Sequence, residues 1–390
     1  MQDYGLTDEQ KAVRQVARDF TRKEIEPIAA EMDEKEEFPR EVYDKMGGLG
    51  FPGMLAPPEY GGSGAGYLAL GLVLEEISKA SSGIACCLVP HSGHYRAILR
   101  FGNEEQKRKY VTPLASGKRL GAFGMTEPDA GSDVASLQTT AILKGDHYIA
   151  NGIKCFTTNG GEAEQYLLIA RSKPKEEPSR GISAFIVEVG TPGFTFGKKE
   201  RKMGFRANST RDLIFQDCPI PKDNLLGEEG RGMRIGLDLM DYARMTAAAS
   251  AVGEAQAALD HAIKYAEQRV QFGRPIGHLQ AIQFMLADMA TVVEASRVLT
   301  YRLCRMLDDD LTCDKEAAIT KVFATDMAMK VASDAVQIFG GYGYMKDYPV
   351  EAIFRDAKLG QIFDGTNEIQ RVIIARHLLR FLGAPSPEFG

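Results

Sequence analysis

A chain of 390 residues, 44% hydrophobic and 26% charged, has room for two or three domains and a large apolar core, so disulfides are not needed to hold it. Its net charge of −6 gives no basic footprint for nucleic acid, and no run approaches the ~18 apolar residues of a membrane helix. The six cysteines (Cys86, Cys87, Cys155, Cys218, Cys304 and Cys313) form no CxxC or metal-ligand spacing. With a charged N-terminus that lacks a signal-like apolar stretch, they predict a cytoplasmic protein with free thiols.

Thr7 and Gln10 fit a capping box, and Val13, Val16, Ala17 and Phe20 follow at helical spacing, which predicts an amphipathic first helix. Residues 47–66 hold 8 Gly and 3 Pro in 20 positions, the composition of a long ordered loop. Helical patterns resume from Tyr67 to about Ser116. From about residue 121 the runs HYIANGIKCFTTNG, EQYLLIARS, GISAFIVEVG and TRDLIFQDC are short, β-branched or aromatic, and separated by Gly, Pro and Asn. No helical pattern lies between them, so an antiparallel barrel or sandwich is expected and alternating β/α units are not. Beyond Gly230, Ile282, Met285, Met289 and Val292 share one helical stripe, and two further long helices are expected over about 314–339 and 367–381. The predicted fold is therefore α+β. An N-terminal helical domain (1–120) precedes a central antiparallel β domain (121–230) and a C-terminal four-helix bundle (231–390) with loops at DDDLTCD and GGYGYMKDYP.

Chemistry has few independent anchors. His91 and His94 are three apart, yet no acid or cysteine stands at ligand spacing, so helix packing is the simpler reading and no metal is expected. A role for His91 as a second acid or base beside a pocket is the other reading. No GxSxG elbow is present, and Asp308, Asp309 and Asp310 read as a solvated turn. In IFDGTNEIQR (362–371), Asp364 stands between Phe363 and Gly365 just ahead of an amphipathic helix, where an Asp-Gly turn is the plain expectation.

Four segments stand out together: GMTEPDAGSDVAS (124–136), IKCFTTNG (153–160), QRVQFGRPIGHLQAIQFMLADMA (268–290), and QIFGGYGY with IFDGTNEIQR (337–371). In this order and spacing the chain resembles the acyl-CoA dehydrogenase family of flavoproteins over essentially its whole length. The resemblance implies FAD as cofactor and α,β-dehydrogenation of an acyl-CoA thioester, in which a carboxylate takes the α-proton and the β-hydrogen leaves as hydride to the flavin. It also implies electron-transfer flavoprotein as acceptor and a homo-oligomer, a tetramer built as a dimer of dimers.

Carried over residue by residue, the resemblance places Met125 and Thr126 on the flavin side and Ser132 on the acyl-CoA side. Phe156 takes the position of a usual Trp against the flavin ring, with Thr158 beside it; a core aromatic is the alternative for Phe156. Arg269, Phe272 and Gln280 reach across a dimer interface to the adenosine and pyrophosphate, for which the Arg fork is suited. Gln337, Gly340 and Gly341 supply another cofactor segment, and Thr366 and Glu368 a third. Asp241, Tyr242, Arg244, Phe363 and Gly365 line the substrate, although Arg244 reads equally as an ion-pair partner.

One family branch carries its base where this chain has Ala243, which cannot serve, so the resemblance assigns the base to Asp364, where Glu is usual. The Asp364 backbone N-H would help hold the thioester carbonyl as an oxyanion hole does. An Asp stops about 1.5 Å short of a Glu on the same backbone, and ~1 Å of misplacement can cost ~100-fold in rate. The expected substrate is therefore short, branched or alicyclic, such as cyclohexanecarboxyl-CoA. Two other readings are a nitroalkane oxidase-like flavoenzyme, which would also use an Asp base, and a flavin-bound binding or assembly protein with little turnover.

Overall fold

The computed structural model describes residues 4–173 and 181–379. Helix α1 (Asp8–Phe20) opens on the expected capping box, with Thr7 Oγ1 accepting from the Gln10 N-H at 3.2 Å and Gln10 Oε1 from the Thr7 N-H at 3.0 Å. Helices α2 (Ala29–Lys35) and α3 (Arg40–Gly48) follow, and the Gly/Pro-rich segment then runs as loop with short 3₁₀ turns. Helices α4 (Gly66–Ser78), α5 (Ser82–Ala85), α6 (Leu88–Phe101), α7 (Glu104–Gln106) and α8 (Thr112–Ala115) complete the first layer.

α4 is buried almost all round, and its two glutamates survive there because cations meet them. Glu76 accepts from Arg14 and Arg18, and Glu75 from Arg14, Arg297 and the Tyr301 hydroxyl. Asp308 departs from the solvated turn expected of it. It accepts from the Tyr67 and Leu68 N-H groups at 2.5 and 3.1 Å, so it satisfies orphan donors at the start of α4.

The middle domain holds β1 (Gly121–Gly124), β2 (Thr140–Lys144), β3 (His147–Thr158), β4 (Gln165–Arg171), β5 (Ile182–Glu188), β6 (Phe194–Lys199), β7 (Thr210–Pro221) and β8 (Leu225–Leu226). Their order is β6-β7-β3-β2-β4-β5-β8, with β1 on β4. Most pairings are antiparallel as expected, but β1 runs parallel to β4 over four residues and β2 meets β4 in parallel at Thr140 and Arg171. The β2–β3 hairpin separates β1 from β4 in sequence, which is what allows the two to run the same way. β4 and β5 are covered on both faces, hence their nearly unbroken apolar sequence.

Helix α9 (Gly232–Gln268) leads into a short hairpin, β9 (Val270–Gln271) and β10 (Arg274–Pro275), and then into α10 (Gln280–Asp308), α11 (Asp314–Phe339), α12 (Val350–Gly360) and α13 (Asn367–Leu378). Residues 380 and 381 of the helix expected over 367–381 lie outside the described residues. At 37 residues, α9 spans about 55 Å. Its run of Ala and Gly allows close approach: a Cβ on Gly253 would stand 2.4 Å from the Glu75 carbonyl of α4. Met289 is buried in the bundle core, with Ile282, Met285 and Val292 packed against it. No helix among the described residues is long and apolar enough to cross a membrane.

Candidate active site

Asp364 sits in the link between α12 and α13. Asp364 and Gly365 are consecutive left-handed residues, φ +54° and +83°, so the Asp-Gly turn is real and Gly365 suits it for the expected reason. Thr366 is the N-cap of α13, its Oγ1 accepting from the Ile369 N-H at 3.3 Å. Lys321 Nζ, from α11, donates to the Gly365 carbonyl at 2.9 Å and to Asn367 Oδ1 at 2.8 Å. From the other side Gln370 Nε2 donates to the carbonyls of Asp364 (3.2 Å) and Gly365 (2.9 Å).

This clamp leaves the Asp364 carboxylate outside the turn's own hydrogen bonding. Its Oδ2 is buried without a partner among the described residues, and its backbone N-H likewise finds no acceptor there. Burial pushes the carboxyl up to about 6, against the pull of Lys321 and Arg244. A carboxylate poised there can accept a proton near neutral pH. Phe363 leans edge-on against Phe205, centroids 5.9 Å apart. The Cys86 thiol at the end of α5 is pushed up by burial and by the nearby Asp364 charge.

A second group of predicted residues gathers where β1 ends. The Lys154 side chain is wholly buried and its Nζ donates to Glu127 Oε1 at 2.6 Å and to the Met125 carbonyl at 3.1 Å. The Cys155 N-H donates to the Thr126 carbonyl at 2.8 Å. These bonds hold residues 125–127 against β3, where Met125 is buried and Thr126 half-buried. Ser132 is exposed in the loop that follows. On β3 a bulge between Lys154 and Thr157 turns Phe156 outward: it is 70% exposed at φ +56°. The core-aromatic reading of Phe156 therefore fails. A large aromatic held in open space on a bulge needs a covering partner, while Thr158 closes the strand half-buried.

The third group lies in the C-terminal domain. A cleft of about 510 Å³ is lined by Tyr265, Arg269, Gln271, Phe339, Gly340, Gly341 and Tyr342, among others. Arg269 lies over the Tyr342 ring at 5.4 Å, and Tyr265 stacks on Phe339 at 4.0 Å. A Cβ at Gly340 or Gly341 would meet nothing within 4 Å, so the backbone forms an open shelf beside a guanidinium, a fit for a phosphate-bearing cofactor. Gln337 and Gln280 are exposed nearby in sequence at the ends of α11 and α10. Phe272, at the tip of the β9–β10 hairpin, is 90% exposed. The exposed Phe156 and this cleft together fit FAD.

Several expectations change. Tyr242 does not join the site: it is 1% exposed and its hydroxyl donates to the Val89 carbonyl at 3.0 Å, which fixes it between α9 and α6. Arg244 is an ion-pair partner, bonding Asp241 at 2.7 Å and Asp314 at 2.6 Å through Nη1, while its Nε is buried without a partner among the described residues. Asp241 is pushed up to about 6 by burial. Thr366 spends its oxygen on the helix cap, and Glu368 is exposed beside it. His91 Nδ1 accepts from the Gly121 N-H at 3.0 Å and His94 Nδ1 bonds the Ala122 carbonyl at 2.8 Å. Burial drives both histidines far down, to about 3 and about 4, so they are neutral packing residues and His91 is no second acid. No group of residues that could hold a metal ion occurs among the described residues.

Sequence reasoning passed over Lys321, Asn367, Gln370 and the Lys154–Glu127 pair. The one available signal for Lys321 was a lysine inside the apolar stripe of AAITKVFATDMA, where a buried position needs partners.

Comparison with known proteins agrees with this layout. Residues 7–118, 122–218 and 230–379 match the acyl-CoA dehydrogenase N-terminal, middle and C-terminal domains respectively. An acyl-CoA dehydrogenase of Bacillus subtilis is 52% identical, the match covering 96% of this chain and 99% of that protein. The butyryl-CoA dehydrogenase of Megasphaera elsdenii superposes with a TM-score of 0.95 at 44% identity, over 97% of this chain and all of that one (100%). A chain solved in work on the electron transferring flavoprotein of Acidaminococcus fermentans gives a TM-score of 0.95 at 47% identity, with coverage of 97% and 100%. The three matched domains and these likenesses show that the chain belongs to the acyl-CoA dehydrogenase family, FAD-dependent oxidoreductases acting on CH-CH donors.

Proposed function

We propose that this enzyme dehydrogenates a short acyl-CoA that is branched or alicyclic at the α-carbon, cyclohexanecarboxyl-CoA being the representative case, with Asp364 as the base. The observation that carries this reading is the Asp364 carboxyl, whose Oδ2 is buried and unpartnered on a clamped left-handed turn. Its elevated affinity for protons near pH 6 suits removal of a weakly acidic α-proton. The free Asp364 N-H can donate to the thioester carbonyl, and Phe363 against Phe205 shields the reacting carbon from water.

FAD, when bound, supplies the hydride acceptor. Met125, Thr126, Phe156 and Thr158 would hold its ring, and Arg269, Phe272, Gln280, Gln337, Gly340 and Gly341 its adenosine and pyrophosphate; Thr366 and Glu368 would stand at the edge of that site. Ser132, Asp241 and Gly365 would border the thioester. A small acyl group is supported by likeness to a butyryl-CoA dehydrogenase, and the α-substituent by the short reach of Asp. Electron-transfer flavoprotein as acceptor is supported by the chain from the Acidaminococcus work. A homo-oligomer, with a tetramer as its full form, is supported by the unpartnered Phe272 (90% exposed), Tyr344 (82%) and Phe284 (61%). The six cysteines, free and buried, suit the reducing cytoplasm.

The test is a panel of isobutyryl-, cyclohexanecarboxyl- and butyryl-CoA with an artificial electron acceptor, on the wild type and Asp364→Glu. The wild type should prefer the branched and alicyclic thioesters, and Asp364→Glu should shift preference toward butyryl-CoA by roughly 10 to 100-fold. A wild-type preference for butyryl-CoA would sink the substrate assignment.

A further inference from the structure

Lys321 is 0% exposed in the middle of α11, an expensive place for an ammonium. Its hydrogen-bond partners, the Gly365 carbonyl and Asn367 Oδ1, are neutral. No carboxylate lies within salt-bridge distance of it among the described residues. Around it Thr325 Oγ1 donates to the Lys321 carbonyl at 2.7 Å, and Asn367 Nδ2 donates to Asp326 Oδ1 at 2.8 Å. The turn itself does not require a cation, because the neutral Gln370 amide already grips the Asp364 and Gly365 carbonyls from the opposite side.

We propose that Lys321 is a positioning residue for Asp364: its buried ammonium fixes the left-handed turn and, from behind that turn, biases the carboxylate toward its charged, proton-accepting form. The proposal rests on Asp364 being the base. It also accounts for how a short acid can work here. An Asp has one rotatable bond fewer than a Glu, so displacement of the turn cannot be recovered by the side chain, and a backbone clamp matters more.

The charged and titratable groups facing Asp364 are few. α11 supplies Lys321, α9 supplies Arg244, and α5 supplies the Cys86 thiol. Arg244 is already committed to Asp241 and Asp314. Asp326 and Glu368 act on Lys321 itself. Burial lowers Lys321 to about 8, so it is charged through the acid limb near pH 6, where its influence on Asp364 is read. Removing that charge removes a stabilising neighbour of the carboxylate, so the Asp364 carboxyl must titrate at higher pH.

The experiment compares pH profiles of kcat/KM for the wild type, Lys321→Gln, Lys321→Met and Gln370→Leu, with FAD content confirming folded holoenzyme. Lys321→Gln retains a donor for the Gly365 carbonyl and guards the fold. Both Lys321 variants should move the acid limb up by about one pH unit or more. Gln370→Leu should lower kcat without moving that limb, because it loosens the turn and leaves the charge. An acid limb unmoved in both Lys321 variants overturns the proposal. Infrared titration gives a readout without turnover: the protonated-carboxyl band that Asp364→Asn removes should be gone from the wild type by roughly pH 8, and its persistence at higher pH would also overturn it. Should Asp364→Asn keep turning over substrate, the underlying base assignment fails. Should Asp364→Asn be inactive while the limb stays put, only the role of Lys321 fails.

Discussion

The buried ion pair beneath residues 125–127 is the feature whose loss has the most calculable effect. In Lys154→Met the apolar stem is kept, but Glu127 loses its 2.6 Å partner and the Met125 carbonyl loses its 3.1 Å donor. Breaking a buried pair from one side costs about 3 to 5 kcal/mol. Glu127 keeps the Gln138 and Thr139 N-H groups at 2.5 and 2.9 Å, so the lower end, about 3 kcal/mol, applies. With an unfolding entropy of ~2.1 cal/mol/K per residue, a chain of this length carries roughly 0.8 kcal/mol/K, and the loss equals about 4 °C in Tm. In Lys154→Met/Glu127→Gln the stranded charge is gone, and the amide oxygen accepts one of the two N-H groups that now bond separate carboxylate oxygens, so part of the loss should return. Thermal melts by circular dichroism, with and without added FAD, would measure both variants, and fluorescence titration of the apoprotein would report weakened FAD binding in Lys154→Met. A single variant melting within about 1 °C of wild type, or a double variant no better than the single, would refute this account.

Other outcomes follow from the same geometry. Because Asp364 must be charged to accept a proton and its carboxyl titrates at about 6, kcat/KM should fall about tenfold per pH unit below that value in a pH-rate profile. The same raised value means that the native state holds this proton more tightly than the unfolded chain. Asp364 therefore contributes stability at low pH that is lost as pH rises through about 6. Asp364→Asn should then be more stable than wild type at pH 8 by roughly 1 kcal/mol, discounted for partial exposure, with the gap closing near pH 4, as denaturant titration at the two pH values would show. Phe272→Asp should lower both the association state in sedimentation and the FAD retained. Thr366→Ala should cost ~1 kcal/mol through the lost cap of α13, with Thr366→Ser restoring it in the same unfolding assay.

The helices were legible because their apolar stripes and caps are local: the Thr7–Gln10 box and the stripe through Met289 stand in the fold as read. Strand partners are not local, so the parallel seating of β1 on β4 was invisible in runs that looked like an antiparallel series. The segments that carry the candidate site stood out as motifs, and the proposals for Asp364, Arg269 and Gly340 start from them. What the motifs could not convey was which side chains already have partners. Tyr242 spends its hydroxyl on Val89, Arg244 its guanidinium on Asp241 and Asp314, and Asp308 its carboxylate on α4. Apart from Asp241, which stands one helical turn from Arg244 on α9, each of those partners is on another element, and tertiary packing decides them. Lys321 was missed for the converse reason, since a lone lysine on an alanine-rich helix looks like a surface residue until α13 is laid over it.

Removal of the α-proton by Asp364 is open to direct measurement. Holoenzyme held anaerobically in deuterium oxide with cyclohexanecarboxyl-CoA should, by mass spectrometry, load deuterium at the α-carbon. Asp364→Asn, shown by titration to bind the same thioester, should fail to do so. Deuterium uptake by Asp364→Asn at the wild-type rate would contradict the account.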